Sequence, residues 1–239
     1  YLTGEPFVAI PYAASLSVLA EDESDLGAGV GEMGAGTTTI TVYASGRFVH
    51  ASGFALGGQH ITMDLARGLG ASIADAERIK TLYGSVLTGG SDARELMTVP
   101  SAGDHDRDAP QIVSRGAISN IIRQRAEEIF EMVRDRLAES PFAAEPRARV
   151  VLTGGGSLLT GLPDLAGRIL NRQVRVGRPL GLGRLPAQAK SASFAAPAGL
   201  LVYPQFAHLE HVAPRHGRQL MTGTGGYFGR VGQWLREGF

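Results

Sequence analysis

Two glycine-rich stretches hold the residues whose types and spacing could do chemistry. The first is Glu32-Met33-Gly34-Ala35-Gly36-Thr37-Thr38, at the end of an apolar run through Val30 and Gly31. Glycine permits positive φ and lets an anion approach main-chain N–H groups closely. Thr37 and Thr38 add hydroxyl donors. Thr39-Ile40-Thr41-Val42-Tyr43 then alternates with the two-residue period of a strand. The loop is therefore read as a hairpin turn; a Walker loop or a dinucleotide fingerprint would need a helix at that point. The second stretch, Gly154-Gly155-Gly156-Ser157, follows the β-branched run Val150-Val151-Leu152-Thr153. Turn chemistry alone can ask for glycine in either place. Two such loops at strand ends, far apart in sequence, suggest the two sides of one nucleotide cleft.

A third set is Glu77 and Lys80. Ser72 can N-cap a helix running to Tyr83-Gly84, and a spacing of three puts both charges on one helical face. An exposed pair of this kind contributes only a few tenths of a kcal/mol, roughly, to helix stability. A fourth set is Arg123, Arg125, Arg134 and Arg136 on the longest helical pattern, residues 111–140. There Ile118, Ile121, Ile122, Ala126, Ile129, Met132, Val133 and Leu137 form the apolar stripe. Such charge often marks only a solvated face. Beside an apolar groove it also suits an amphipathic peptide bearing carboxylates.

The remaining elements follow from pattern. Phe7-Val8-Ala9-Ile10 suits a buried strand, and residues 13–19 suit a small-residue helix, with Pro11 at the boundary. Residues 21–25 read as an acidic surface loop. Three strands fit residues 27–54, with a turn at Ser45-Gly46. Ile61, Leu65 and Leu69 mark an amphipathic helix that Gly70 can stop. Residues 87–110 read as loops and short strands, the best being 95–99. His105 lies there among aspartates, with no second cluster of ligands to make a metal site. A helix is expected at 162–170, a strand at 174–176, a loop at 177–192 and a small-residue helix at 194–203.

Residues 213–226, rich in glycine and proline, read as a flexible linker. After it Tyr227, Phe228, Val231, Trp234, Leu235 and Phe239 share one helical face, with Arg230 and Arg236 toward its edges. That pattern fits a helix lying in the plane of a membrane surface, or a tail packed on protein.

Composition sets the bounds. The chain has 239 residues, is 44% hydrophobic, and has a formal net charge of zero. That allows one large or two small domains with a substantial core. Neutrality argues against bulk nucleic-acid binding, which needs a basic surface. There is no cysteine, which rules out disulfides and thiolate metal sites. No apolar run reaches the length of a transmembrane helix.

Taken in order, these blocks resemble the actin, sugar-kinase and heat-shock-chaperone ATPase superfamily, and within it the FtsA family of bacterial cell-division proteins. The resemblance rests on the two glycine loops and on Leu19-Ala20-Glu21-Asp22-Glu23 with Leu26-Gly27. It rests equally on Gly57-Gly58-Gln59-His60-Ile61-Thr62-Met63-Asp64-Leu65-Ala66, Ala76-Glu77-Arg78-Ile79-Lys80 and Tyr83-Gly84. Gln173-Val174-Arg175-Val176-Gly177 and the terminal Trp234-Leu235 complete it.

The resemblance implies an α/β, actin-like (ribonuclease H-like) mixed sheet flanked by helices, with an inserted α+β subdomain. Residues 1–25 would end a first domain and supply a hinge helix. Residues 26–55 and 148–212 would form the second core subdomain, 56–147 the insertion, 213–226 a linker and 227–239 a membrane-targeting helix. Compared with the family, an N-terminal half is missing. The resemblance further implies ATP and Mg2+ as ligands. Glu32, Gly34, Ala35, Gly36, Thr37 and Thr38 would lie at the phosphates, Gly154, Gly155, Gly156 and Ser157 at the adenosine, and Glu77 and Lys80 at the ribose and base.

It implies, too, that the helical subdomain docks the C-terminal peptide of the tubulin-like protein FtsZ through arginines such as Arg123, Arg125, Arg134 and Arg136. Self-association into protofilaments, further division proteins and lipid contact through Phe228, Val231, Trp234, Leu235 and Phe239 are implied as well. So is a place on the cytoplasmic face of the bacterial inner membrane at the division site. Two departures bear on turnover. Glu32 stands where an aspartate is usual, and Ala35 where the middle glycine is usual. With no strong general base visible, weak or absent ATP hydrolysis is expected. The alternative is an actin-like ATPase of another class, serving pilus assembly or cell shape.

Overall fold

The computed structural model describes residues 7–87, 89, 94–100, 111–144, 148–183 and 185–206. At its centre is a five-stranded mixed sheet. Strands β1 (Ala28–Met33), β2 (Thr38–Ala44) and β3 (Arg47–Phe54) run antiparallel in sequence. The chain then leaves the sheet and returns as β6 (Arg149–Thr153), parallel to β1, and β7 (Val174–Val176), parallel to β6, giving the order β3-β2-β1-β6-β7. The excursion contains α3 (Gly58–Leu69), α4 (Ile73–Tyr83), a two-stranded ribbon of β4 (Leu96–Val99) and β5 (Gln111–Ser114), and the long α5 (Arg115–Ala138). Helix α6 (Leu162–Leu170) connects β6 to β7.

The two faces of the sheet are covered differently. Strand side chains alternate between faces. Met33, Ile40, Val42, Val150 and Leu152 point to one side, into a large core with Ile61, Leu65, Ile118, Ile122, Ile129, Phe130 and Leu162 from α3, α5 and α6. Val30 and Val151 point to the other side. There they meet Ala14 and Val18 of α1 (Ile10–Val18) and Ala195 of α7 (Ala195–Phe206). That second layer is thin because its helices carry small residues. Helices α1 and α7 meet backbone to backbone, Gly199 lying so close to the Ala13 carbonyl that no side chain fits between them. Ser17 donates to the Ala195 carbonyl (2.7 Å), and Ser15 and Tyr43 share a buried hydrogen bond (2.6 Å).

Three expectations are corrected. Residues 7–10 form no strand: Phe7 is fully exposed, and α1 already begins at Ile10 with Pro11 in its first turn, where a missing N–H costs nothing. The acidic residues 21–25 are not a loop but helix α2 (Glu21–Leu26). Its three first-turn carboxylates complement the positive end of the helix dipole, and Glu23 accepts from the Ala20 N–H (3.0 Å). Glu23 also forms a two-pronged ion pair with Arg175 of β7, whose guanidinium donates in addition to the Val18 carbonyl (2.8 Å). Finally, residues 111–114 are strand rather than helix. They pair with β4, and Ser114 then caps α5 by accepting from the Ala117 N–H (3.2 Å).

Other readings hold. Gly70 ends α3 in the left-handed conformation, Ser72 caps α4 by accepting from the Asp75 N–H (3.1 Å), and helix 162–170 and strand 174–176 lie as the pattern predicts. The sequence stripe of α5 is buried, except that Phe130 joins it and Ile121 and Met132 are only half-buried. Contacts gather the described residues as far as Pro204 into one compact unit. Helix α5 packs on α3 and α6 alike. No described helix is long and apolar enough to cross a membrane.

Candidate functional site

The loop of residues 34–37 joins β1 to β2. Gly34 donates to the Thr37 carbonyl (2.9 Å), closing the turn. The carbonyls of Gly34 and Ala35 point toward α3 and accept from the N–H groups of Gly58 (2.9 Å) and Gln59 (2.8 Å). These are first-turn donors with no partner inside the helix, so loop and helix satisfy one another. Gly57 makes this approach possible, since a Cβ there would stand 2.6 Å and 2.7 Å from the same two carbonyl oxygens. His60 completes the cap: its Nδ1 accepts from the Gly57 N–H (3.1 Å).

Residues 35–37 form the exposed tip of the loop, and their amides make no backbone hydrogen bond among the described residues. Positive φ has no part in this: neither Gly34 nor Gly36 lies in the left-handed region, and Ala35 is unstrained. Thr37 is exposed. Thr38 is buried, its hydroxyl donating to the Leu56 carbonyl (2.8 Å).

Glu32 stands at the C-terminal end of β1, on the face that carries α1 and α7. Register places it between Thr39 of β2 and Thr153 of β6. Thr39 donates to its carboxylate (3.2 Å). Burial raises the Glu32 carboxyl above its ordinary value, and the Thr39 bond only partly opposes that.

The second glycine loop abuts the first. Gly154 has φ +82°, and a Cβ there would fall 2.5 Å from the Met33 carbonyl oxygen. Gly154 donates to the Ala192 carbonyl (3.1 Å), tying the loop to the segment before α7. Ser157 is buried, and its hydroxyl returns to the Gly154 carbonyl (2.7 Å), leaving Gly155 as the exposed member.

Glu77 and Lys80 of α4 complete the arrangement. Lys80 reaches back to the start of α3 and donates to the Gly58 carbonyl (3.0 Å), the Thr62 hydroxyl (2.8 Å) and Glu77 Oε2 (2.7 Å). Thr62 also contacts Glu77 Oε2, at 2.5 Å. A Cβ on Gly58 would lie 3.7 Å from Lys80 Nζ and 3.9 Å from the Gly156 Cα, so α3, α4 and the second loop converge there. Burial pushes the Glu77 carboxyl up, but the Lys80 and Thr62 bonds outweigh it and hold the group below its ordinary value. Thr62, Gly57 and His60 have roles that residue type alone did not disclose. The available signal was spacing, since Thr62 lies one helical turn after Gly58.

The arginines of α5 lie away from these loops, each paired within the protein. Arg123 pairs with Glu127 (2.7 Å), Arg134 with Asp135 (3.1 Å) and Arg136 with Glu139 (3.3 Å). Arg125 makes a two-pronged pair with Asp64 of α3 (2.6 and 3.1 Å), which raises its pKa, and also meets Glu128. No group of three potential metal-ligating side chains occurs among the described residues. His105, the 213–226 linker and the Phe228, Val231, Trp234, Leu235 and Phe239 face lie outside the described residues.

Comparison with known proteins identifies the fold and the family. The structure of MreB 5 of Spiroplasma citri bound to AMPPNP superposes with a TM-score of 0.66 at 18% identity, over 84% of this chain and 59% of that one, which establishes an actin-like fold. The cell division protein FtsA of Rhizobium meliloti (strain 1021) is 49% identical over all 239 residues. The cell division protein FtsA of Escherichia coli (strain K12) is 32% identical over 95% of the chain. The chain spans about half the length of these curated relatives, 54% and 55% respectively. The family model described as cell division protein FtsA matches residues 31–199, and the chain belongs to that family.

Proposed function

We propose that this chain carries the nucleotide site of an ATP-binding, actin-like cell-division adaptor. The observation that carries the reading is the meeting of four backbone and side-chain features at one place. They are the amides of the exposed tip at residues 35–37, the Gly154–Ser157 loop, the start of α3, and the Glu77–Lys80 pair. The amides would receive phosphate oxygens, Gly155 and Gly156 would lie along the adenosine, and Glu77 and Lys80 would meet the ribose and base. Magnesium would be held through the phosphates and Glu32, in the usual manner of a hard cation with few protein ligands. Glu32, one methylene longer than the aspartate usual at that place, leaves hydrolysis weak or absent. Calorimetric titration with Mg2+–ATP tests the site: saturable binding supports it, and no heat from a folded chain overturns it.

The adaptor role extends the reading to partners. The C-terminal peptide of FtsZ would dock on the helical region around α5. Arg134 and Arg136 suit this best, because their present pairs are half-exposed and such pairs contribute little. A peptide carboxylate can replace Asp135 or Glu139 at small cost. Arg123 would contribute at the edge. Arg125 would keep Asp64 and brace the helix. Filament self-association, recruitment of other division proteins, and attachment through the 227–239 face to the cytoplasmic side of the membrane at the division site complete the proposal. Anisotropy with a labelled FtsZ C-terminal peptide should saturate and weaken on Arg134→Glu; an unchanged curve would remove α5 from the docking site.

A further inference from the structure

We propose that Thr62 is a positioning residue of the nucleotide site, fixing the orientation in which Glu77 and Lys80 face the ligand. The inference rests on the nucleotide reading above. Thr62 lies in the second turn of α3 and is buried, while the Glu77 side chain is 52% exposed and that of Lys80 14% exposed. Thr62 is therefore the inner anchor of a group whose outer member faces solvent. Its hydroxyl has one proton and two lone pairs. Lys80 has protons only to give, so the Thr62 oxygen accepts from it (2.8 Å). The Thr62 proton then has two possible acceptors, Glu77 Oε2 and the Gly58 carbonyl (3.2 Å). The carboxylate is charged and nearer, and the carbonyl already accepts from Lys80, so the proton goes to Glu77.

One hydroxyl thus closes a triangle with both charged groups, which also bond to each other. Without it Lys80 would keep the Gly58 carbonyl, but the half-exposed Glu77 carboxylate would be held by Lys80 alone and sample more geometries. With it, Glu77 Oε2 is held by both Lys80 and Thr62 while the Glu77 side chain stays half-exposed. The same network binds α4 to the first turn of α3, whose amides hold the 34–37 loop.

ATP titrations of the purified protein, followed by NMR, test the assignment. Thr62→Val and Thr62→Ala are each expected to weaken ATP about tenfold, and Thr62→Ser, which keeps the hydroxyl, less than about twofold. The deciding arm is a double-mutant cycle. In a chain already carrying Glu77→Ala and Lys80→Ala, Thr62→Ala should cost less than about twofold, because the groups it orients are gone. A tenfold loss there too would mean a packing defect, and no loss in the parent background would mean no role. Either result overturns the assignment. Failure of the unsubstituted protein to bind ATP would instead bring down the nucleotide reading itself.

Discussion

The two glycine loops look alike in sequence and are built in opposite ways. The 34–37 loop is held from outside: its carbonyls are gripped by the first amides of α3, and its own glycines need no special conformation. The 154–157 loop is held from within, by positive φ at Gly154, by the missing Cβ that lets Met33 lie against it, and by the Ser157 hydroxyl folding back. One loop leaves the amides of its exposed tip for a ligand. The other spends Gly154 and Gly156 on packing. A glycine's meaning therefore depends on what would occupy its Cβ position, and substitution should separate the two designs.

Gly154→Ala should do most damage. It forces a side chain into the left-handed region and against the Met33 carbonyl, both backbone obstacles. A loss of about 3 kcal/mol is expected in urea unfolding, combining conformational and overlap costs. Gly57→Ala comes next, at about 2 kcal/mol, because α3 can draw back from the loop. It should reduce ATP binding together with stability; retention of full affinity would show that the α3 contact does not shape the loop.

Glu32→Gln should be smaller and of opposite sign. Burial raises the Glu32 carboxyl above its ordinary value. Folding is therefore most favoured below the unfolded pKa and weakens as pH rises toward the folded one. Glutamine avoids that loss, so the variant should be stabilised more at pH 7 than near pH 3; an equal gain at both would exclude the ionisation. Gly36→Ala should barely alter the melting temperature, since nothing lies within 4 Å of a Cβ there. Any fall in ATP affinity would then report the ligand alone.

Much of this was legible in the sequence. Alternation at Thr39–Tyr43 and the Ser45-Gly46 turn gave the hairpin, and capping by Ser72 and the Gly70 stop gave α3 and α4. What failed did so for tertiary reasons. Phe7 to Ile10 has the composition of a strand but no strand beside it. Residues 21–25 look solvated until Arg175, from the far edge of the sheet, meets Glu23. Residues 111–114 suit a helix until β4 offers them a ladder. At the site, glycines, Glu77 and Lys80 were visible by type. Thr62 was not, because a threonine within an amphipathic helix looks like filler until Lys80 and Glu77 are in place beside it.

The grip of α3 on the 34–37 loop has a consequence for how the family can vary. What residue 35 gives to the structure is its carbonyl, and every amino acid has one. Its φ lies outside the region reserved for glycine, so an alanine is accommodated where the superfamily usually keeps glycine. Gly57 has no such latitude, although it is remote in sequence and bears no chemistry of its own. Among descendants of this fold, drift should therefore be tolerated at the loop's own middle position and be resisted at the distant residue that lets the loop be held.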